Sequence, residues 1–275
     1  MASVGKATVT SPHLGWLVVL LVVVLVACDR GAQGMIDVGD GRELYLACEG
    51  EGSPTVVMEA GGAGNSESWR FVQPDVTKFT RVCAYDRAGT GRSSSLPPHR
   101  TTRAIAEDLH ALLAAADVHP PYVLVGHSLG GIIVHQFATE YPDDIVGMVM
   151  VDSSGVDPRD RLQAALTPEE WQQYGSTSHD PNFVFPEGPF LLVPDLRDIP
   201  LVVLSAGIVR SDAPPDVAKR IYDVQMEMQR EVLGLSTNST QVIVEDSDHA
   251  IPLNRPDLIA DAIRQVVEAV RQDNP

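Results

Sequence analysis

The chain of 275 residues is long enough for one large domain, and with 44% apolar residues it has an ordinary globular composition and material for a sizeable core. Its 37 Asp and Glu against 20 Lys and Arg leave a formal net charge of −17 at pH 7. So acidic a balance argues against nucleic acid or an anionic membrane surface as partner, because both repel it. With three cysteines there is no disulfide framework to hold the fold.

The first stretch lies outside any fold. Met1 to His13 is polar with one base, Lys6, and Leu14 to Ala27 is almost uninterrupted Leu and Val. At about 14 residues the apolar run falls short of the roughly 20 that span a bilayer as a helix, and it suits the core of a secretory signal. It closes on Leu25-Val26-Ala27-Cys28, which resembles the bacterial lipobox. That resemblance implies a signal over residues 1–27, a lipid on Cys28 as the new N-terminus, and a short tether over 28–34. The expected place is the bacterial cell envelope, with the protein lipid-anchored to a membrane. Secretion, or a retained signal anchor, is the alternative.

From residue 35 onward strands and helices alternate. Met35-Ile36-Asp37-Val38 and Glu43 to Cys48 read as strands joined by Gly39-Asp40-Gly41, whose Asp-Gly step favours a tight hairpin. Thr55 to Glu59, Arg81 to Tyr85 and Tyr122 to Gly126 follow, then Ile145 to Val151, Leu201 to Leu204 and Gln241 to Val244. Ile105, Leu109, Leu112 and Leu113 fall on one face of a helix before the fifth strand. Ile259, Ile263, Val266, Val267 and Val270 repeat that spacing at the end of the chain, with Pro256 at the helix start. Strands that are apolar throughout and alternate with helices predict an α/β fold, a mostly parallel sheet flanked by helices. The rhythm breaks from Ser153 to Pro200, where nearly fifty residues separate strands six and seven, and a connection that long is usually functional.

Everything converges on Val125-Gly126-His127-Ser128-Leu129-Gly130-Gly131. The run before it is a buried strand, and Ile132 to Tyr141, closed by Pro142, is a helix. A serine at such a hinge sits on a sharp turn, which crowds the backbone and demands small residues two before and two after it. Gly126 and Gly130 supply them. The turn lifts the hydroxyl clear of the sheet and aims the Leu129 amide at an oxyanion formed there.

This stretch resembles the nucleophile elbow of the α/β-hydrolase superfamily, and the resemblance extends from about Met35 to Arg271. It implies an eight-stranded sheet with a small helical cap over the active site, here at about 153–200, where Trp171, Tyr174, Phe183, Phe185 and Phe190 concentrate aromatic side chains. It also makes the second and fourth strands neighbours, so Cys48 and Cys83 are expected either to pair as a disulfide or to remain as two buried thiols. The loop Tyr85-Asp86-Arg87-Ala88-Gly89-Thr90-Gly91-Arg92-Ser93 matches the superfamily's loop after strand four and is expected to brace the site from below.

A serine hydroxyl needs a base to take its proton. Of eight histidines, His249 lies just past the last strand, where the superfamily keeps that base. His127 is expected to point away from the serine, because neighbours alternate around the elbow. The carboxylate expected to orient the base is Asp152, at the tip of strand six, with Asp212 as the alternative, several residues later than the family's commonest position just after strand seven. The second oxyanion donor, implied by the resemblance, is the Gly62 amide in Glu59-Ala60-Gly61-Gly62, where Ala60 stands in place of the family's usual histidine. These residues predict a serine hydrolase cleaving a carboxylic ester of a small molecule through an acyl-enzyme on Ser128, with no metal and no cofactor. Serine at the elbow argues against epoxide-hydrolase and dehalogenase chemistry, which needs a carboxylate nucleophile. An aminopeptidase or amidase with the same triad, anchoring a substrate amine on Asp180, Glu187 or Asp195, is one alternative. A non-turnover binding protein on the same fold is the other.

Overall fold

A computed structural model describes residues 1, 33–95, 101–153, 158–174, 196–208 and 212–273. The signal, Cys28 and most of the tether lie outside the described residues, as do Phe183, Phe185 and Phe190 of the cap.

Among the described residues eight strands form one sheet, in the order β1-β2-β4-β3-β5-β6-β7-β8. They are β1 (Gln33–Asp37), β2 (Glu43–Glu49), β3 (Thr55–Glu59), β4 (Val82–Tyr85), β5 (Tyr122–His127), β6 (Ile145–Val151), β7 (Leu201–Ala206) and β8 (Ser239–Val244). Only β2 runs against its neighbours, and every other pairing is parallel. The expected α/β architecture is therefore the observed one.

Alternation along the central strands fills two separate cores. Val57, Leu124, Met148 and Met150 point to one face, against Leu109, Leu112 and Leu113 of α2 (Thr102–Ala115) and Val134 and Phe137 of α3 (Leu129–Glu140). Val56, Met58, Val123, Val125, Val149 and Val151 point to the other. There they meet Val76 of the short α1 (Gln73–Val76) and Ile259, Ile263, Val266 and Val267 of α8 (Pro256–Asp273). With both faces covered, a strand has no polar side, which is why these strands read as unbroken apolar runs.

Four further helices complete the described fold. α4 (Pro158–Ala165) and α5 (Pro168–Tyr174) begin the connection between β6 and β7. They rest on α6 (Pro215–Leu233) through Leu162, Leu166, Val217 and Ile221, and Trp171 and Tyr174 pack against that cluster. α7 (Ile251–Asn254) follows the loop after β8. The long α6 has no counterpart among the expected elements, although Val217, Ile221, Met228 and Val232 mark its buried face. Its composition is mostly polar, so its stripe is narrow and easily missed.

Cys48 and Cys83 face each other directly across the antiparallel β2–β4 pair and are joined by a disulfide. The cross-link closes a loop with a sequence separation of 35 residues. Restricting the unfolded chain over such a loop is worth about 4 kcal/mol. Unfolding in denaturant with and without a thiol reductant, or of the Cys48→Ala/Cys83→Ala double variant, should show a stability loss of that order.

Candidate active site

β5 runs into α3 with a single residue between them, Ser128, at φ 53° and ψ −121°. A residue with a side chain holds that conformation only when its surroundings force it. Here they do. A Cβ on Gly126 would lie 2.6 Å from the Gly130 carbonyl oxygen, and one on Gly130 would lie 2.3 Å from the Glu59 carbonyl oxygen. Both glycines are therefore required by space, and the turn between them has no slack. The Ser128 amide donates to the Val151 carbonyl at 3.0 Å, tying the elbow to β6.

Asp152 follows β6 directly, 8% exposed and itself at a positive φ of 40°. Its amide donates to the Leu204 carbonyl at 2.7 Å, which fixes the carboxylate between β6 and β7. One carboxylate oxygen accepts from the Ala206 amide at 3.0 Å and from the Gln229 side-chain amide at 2.6 Å. The other lies 2.6 Å from His249 Nδ1. Burial alone would raise this carboxyl, but those hydrogen bonds and the histidine's charge hold it below its ordinary value. For His249, burial pulls downward, while the bond and charge of Asp152 and the charge of Asp248 outweigh it and raise the imidazole above 6.5.

His127 does not point away from the serine's neighbourhood. Its Nε2 sits 2.9 Å from the His249 carbonyl oxygen, and the two rings are 4.7 Å apart. A carbonyl only accepts, so this nitrogen carries the proton. Burial and the neighbouring His249 push the His127 imidazole down to about 4, so it stays neutral wherever His249 titrates.

The loop after β3 lies over the elbow. A Cβ on Gly61 would come 3.0 Å from His127 Nδ1 and 3.4 Å from Ser128 Cβ. Among the described residues, neither the Gly62 amide nor the Leu129 amide at the head of α3 has an acceptor. The first turn of a helix leaves its amides unpaired within the helix, which accounts for the second of these.

The structure thus gathers Ser128, Asp152, His249, Gly62 and Leu129 at the carboxyl edge of the sheet. It forms the Asp152–His249 contact and no hydrogen bond between the Ser128 hydroxyl and the His249 ring, a pair that commonly tightens only around substrate. Asp212 is exposed just before α6 and is not the carboxylate on His249. Asp180, Glu187 and Asp195 lie outside the described residues. Sequence reasoning missed Gln229, the hydrogen-bond partner of Asp152. Its signal was the α6 stripe, which places a glutamine one residue past the apolar Met228 at a position 3% exposed. Among the described residues no cluster of side chains has the make-up of a metal site.

This is the α/β-hydrolase fold. A family model described as alpha/beta hydrolase fold matches residues 54–181. The Bacillus subtilis (strain 168) protein YqjL, described as uncharacterized, is 29% identical over 231 residues, covering 79% of this chain and 85% of its own. A thermophilic esterase from Thermogutta terrifontis superposes with a TM-score of 0.61 at 18% identity, over 87% of this chain and 99% of the esterase. A bromoperoxidase from Bacillus anthracis superposes with a TM-score of 0.63 at 19% identity, over 86% and 99% of the two chains. At such identities the structures share a fold, and their two chemistries show how little the fold alone decides.

The electrostatics can be read without substrate. Long-range proton–nitrogen NMR should show the His249 imidazole titrating above 6.5 and the His127 imidazole near 4. Asp152→Asn should lower the first.

Proposed function

We propose that the protein is a serine hydrolase that cleaves a carboxylic ester of a small molecule through an acyl-enzyme on Ser128. The observation that carries this reading is the buried Asp152 carboxylate on His249 Nδ1 at 2.6 Å, at the same sheet edge as a serine held at φ 53°. With Nδ1–H donated to Asp152, Nε2 is the bare nitrogen of His249 and receives the Ser128 proton as Oγ attacks the ester carbonyl carbon. The carbonyl oxygen becomes an oxyanion and accepts from the amides of Gly62 and Leu129. The tetrahedral intermediate then collapses, the carbon–oxygen bond to the alcohol breaks, and His249 returns its proton to the departing alkoxide. Water repeats the sequence on the acyl-serine and releases the acid. Asp152 keeps its charge throughout and stabilises the imidazolium.

We further propose that the domain is exported and lipid-anchored through Cys28. The Cys48–Cys83 disulfide supports export, because such bonds persist in oxidising compartments. The −17 net charge fits an anchor that holds by acyl chains rather than by attraction to anionic lipid, each buried methylene contributing about 0.8 kcal/mol.

Fluorophosphonate labelling and a p-nitrophenyl ester series test the chemistry. Ser128→Ala should lose both labelling and turnover with stability changed by no more than about 0.5 kcal/mol. Labelling that survives would move the nucleophile elsewhere. Asp152→Asn should lower kcat about 10⁴-fold, while Asp212→Asn stays near wild type, and the opposite pattern would transfer the role. Because His249 must be neutral to act, kcat/KM should fall with decreasing pH about a midpoint above 6.5.

Cys28→Ser should free the protein from membranes or leave it unprocessed, with turnover per molecule unchanged. A variant still cut at the same site and still membrane-bound would exclude lipid as the anchor.

A further inference from the structure

One guanidinium gathers four carbonyls of the loop that lies over the elbow. Arg87, in the loop after β4, has a side chain 4% exposed and is paired with Glu59 at 1%. Its Nη1 donates to the Glu59 carboxylate and, at 2.7 Å, to the Ala60 carbonyl. Its Nη2 donates to the carbonyls of Gly61 at 2.6 Å, of Gly62, and of Gly64 at 3.3 Å. Glu59 is the last residue of β3, and its other oxygen accepts from the Tyr85 hydroxyl at the end of β4. The guanidinium therefore has one edge fixed to the sheet and the rest spread over successive loop carbonyls.

Backbone geometry carries this one step further. In a trans peptide the N–H of one residue points opposite to the C=O of the residue before it. The Gly61–Gly62 peptide is trans, and its carbonyl accepts from Arg87 at 2.6 Å and, at 3.1 Å, from the Gly64 amide of the same loop. Its N–H must then face away from Arg87. Gly61 lies against Ser128 and His127, and the Gly62 amide has no acceptor among the described residues.

We propose that Arg87 is the positioning residue of the oxyanion site: by holding the Gly61 carbonyl on its guanidinium, it aims the Gly62 N–H at the carbonyl oxygen of the substrate. This rests on the reading of Ser128 as nucleophile. The guanidinium touches no reacting atom. It fixes a dipole before the reaction, so that no free energy is spent turning the peptide as charge develops. A lysine keeps the charge toward Glu59 but lacks the planar fork that reaches several carbonyls at once.

The test is Arg87→Lys, with active sites counted by fluorophosphonate titration. Per titrated site, kcat should fall about 10²–10³-fold, the cost of losing one oxyanion donor, while KM changes little. Affinity for a trifluoromethyl ketone, whose adduct carries the oxyanion, should fall in parallel, and the acid limb of the pH profile should stay where it was. Unchanged kcat per titrated site, or a loss explained entirely by fewer titratable sites, would overturn the role. Should Arg87→Lys not fold, the phosphonate adduct of the wild-type enzyme decides. A phosphoryl oxygen accepting from the Gly62 amide, with the Gly61 carbonyl still on Arg87, supports the role, and an oxygen remote from that amide refutes it. Wild-type protein that neither labels nor hydrolyses any ester fails the Ser128 reading and Arg87 with it. Normal labelling with an indifferent Arg87→Lys fails Arg87 alone.

Discussion

The site depends on how closely α3 can approach the ends of β3 and β5. At Gly130 the helix backbone meets the Glu59 and Ala60 carbonyls with no room for a methyl group, and at Gly126 the strand meets the start of the helix in the same way. That contact forces Ser128 to φ 53° and also brings the loop after β3 over it. A longer turn would relax the serine and at the same stroke lift the loop away. The conformational strain at one residue, of order 1–3 kcal/mol, is held by the packing of two buried layers around it. Alanine at Gly126 or Gly130 would move both halves of the site, because they share the one close approach.

What was legible in the sequence follows from this. A spatial requirement on glycine spacing leaves a local signature, so Ser128, Gly126 and Gly130 could be read from seven consecutive residues. Strand ends are local too, which exposed Asp152 as a carboxylate at the tip of an apolar run and His249 as a histidine just beyond the last strand. Choosing Asp152 over Asp212 is different. It turns on the amides of Ala206 and Gln229 and on the ring of His249 meeting at one carboxylate, contacts separated by 54, 77 and 97 residues. No short pattern encodes them. The contact of His127 with the loop of His249, 122 residues on, is likewise non-local.

The overlooked helix shows how the site extends into the rest of the molecule. Gln229 donates to Asp152, and its own carbonyl accepts from the Ser205 hydroxyl, which in turn accepts from Gln241 at 2.8 Å. That chain fixes which end of the Gln229 amide faces the carboxylate, since an amide presents a donor only if its oxygen is satisfied elsewhere. Two residues on, Glu231 pairs with Arg161 of α4 at 2.7 Å, and Arg220 binds Glu170 of α5 through Nη2 at 2.7 Å and Nη1 at 3.0 Å. These outer pairs are largely solvated and add little stability by themselves. Their consequence is geometric. The helix that supports the carboxylate on one side is the platform for α4 and α5 on the other.

Three ionisable groups stand in a row at the sheet edge, and their environments separate them. Asp152 is held charged by three hydrogen bonds although it is buried, and His127 is held neutral by burial and by its neighbour. Between them His249 is displaced upward and titrates above His127. Had His127 also protonated there, two adjacent imidazolium rings 4.7 Å apart would repel, and His249 would be driven back down. The neutral His127 instead donates its proton to the His249 carbonyl and secures the loop that carries His249. The histidine before the serine thus belongs to the support of the histidine after the last strand. Its effect depends on its not titrating, which the low value near 4 secures across the range where His249 would work.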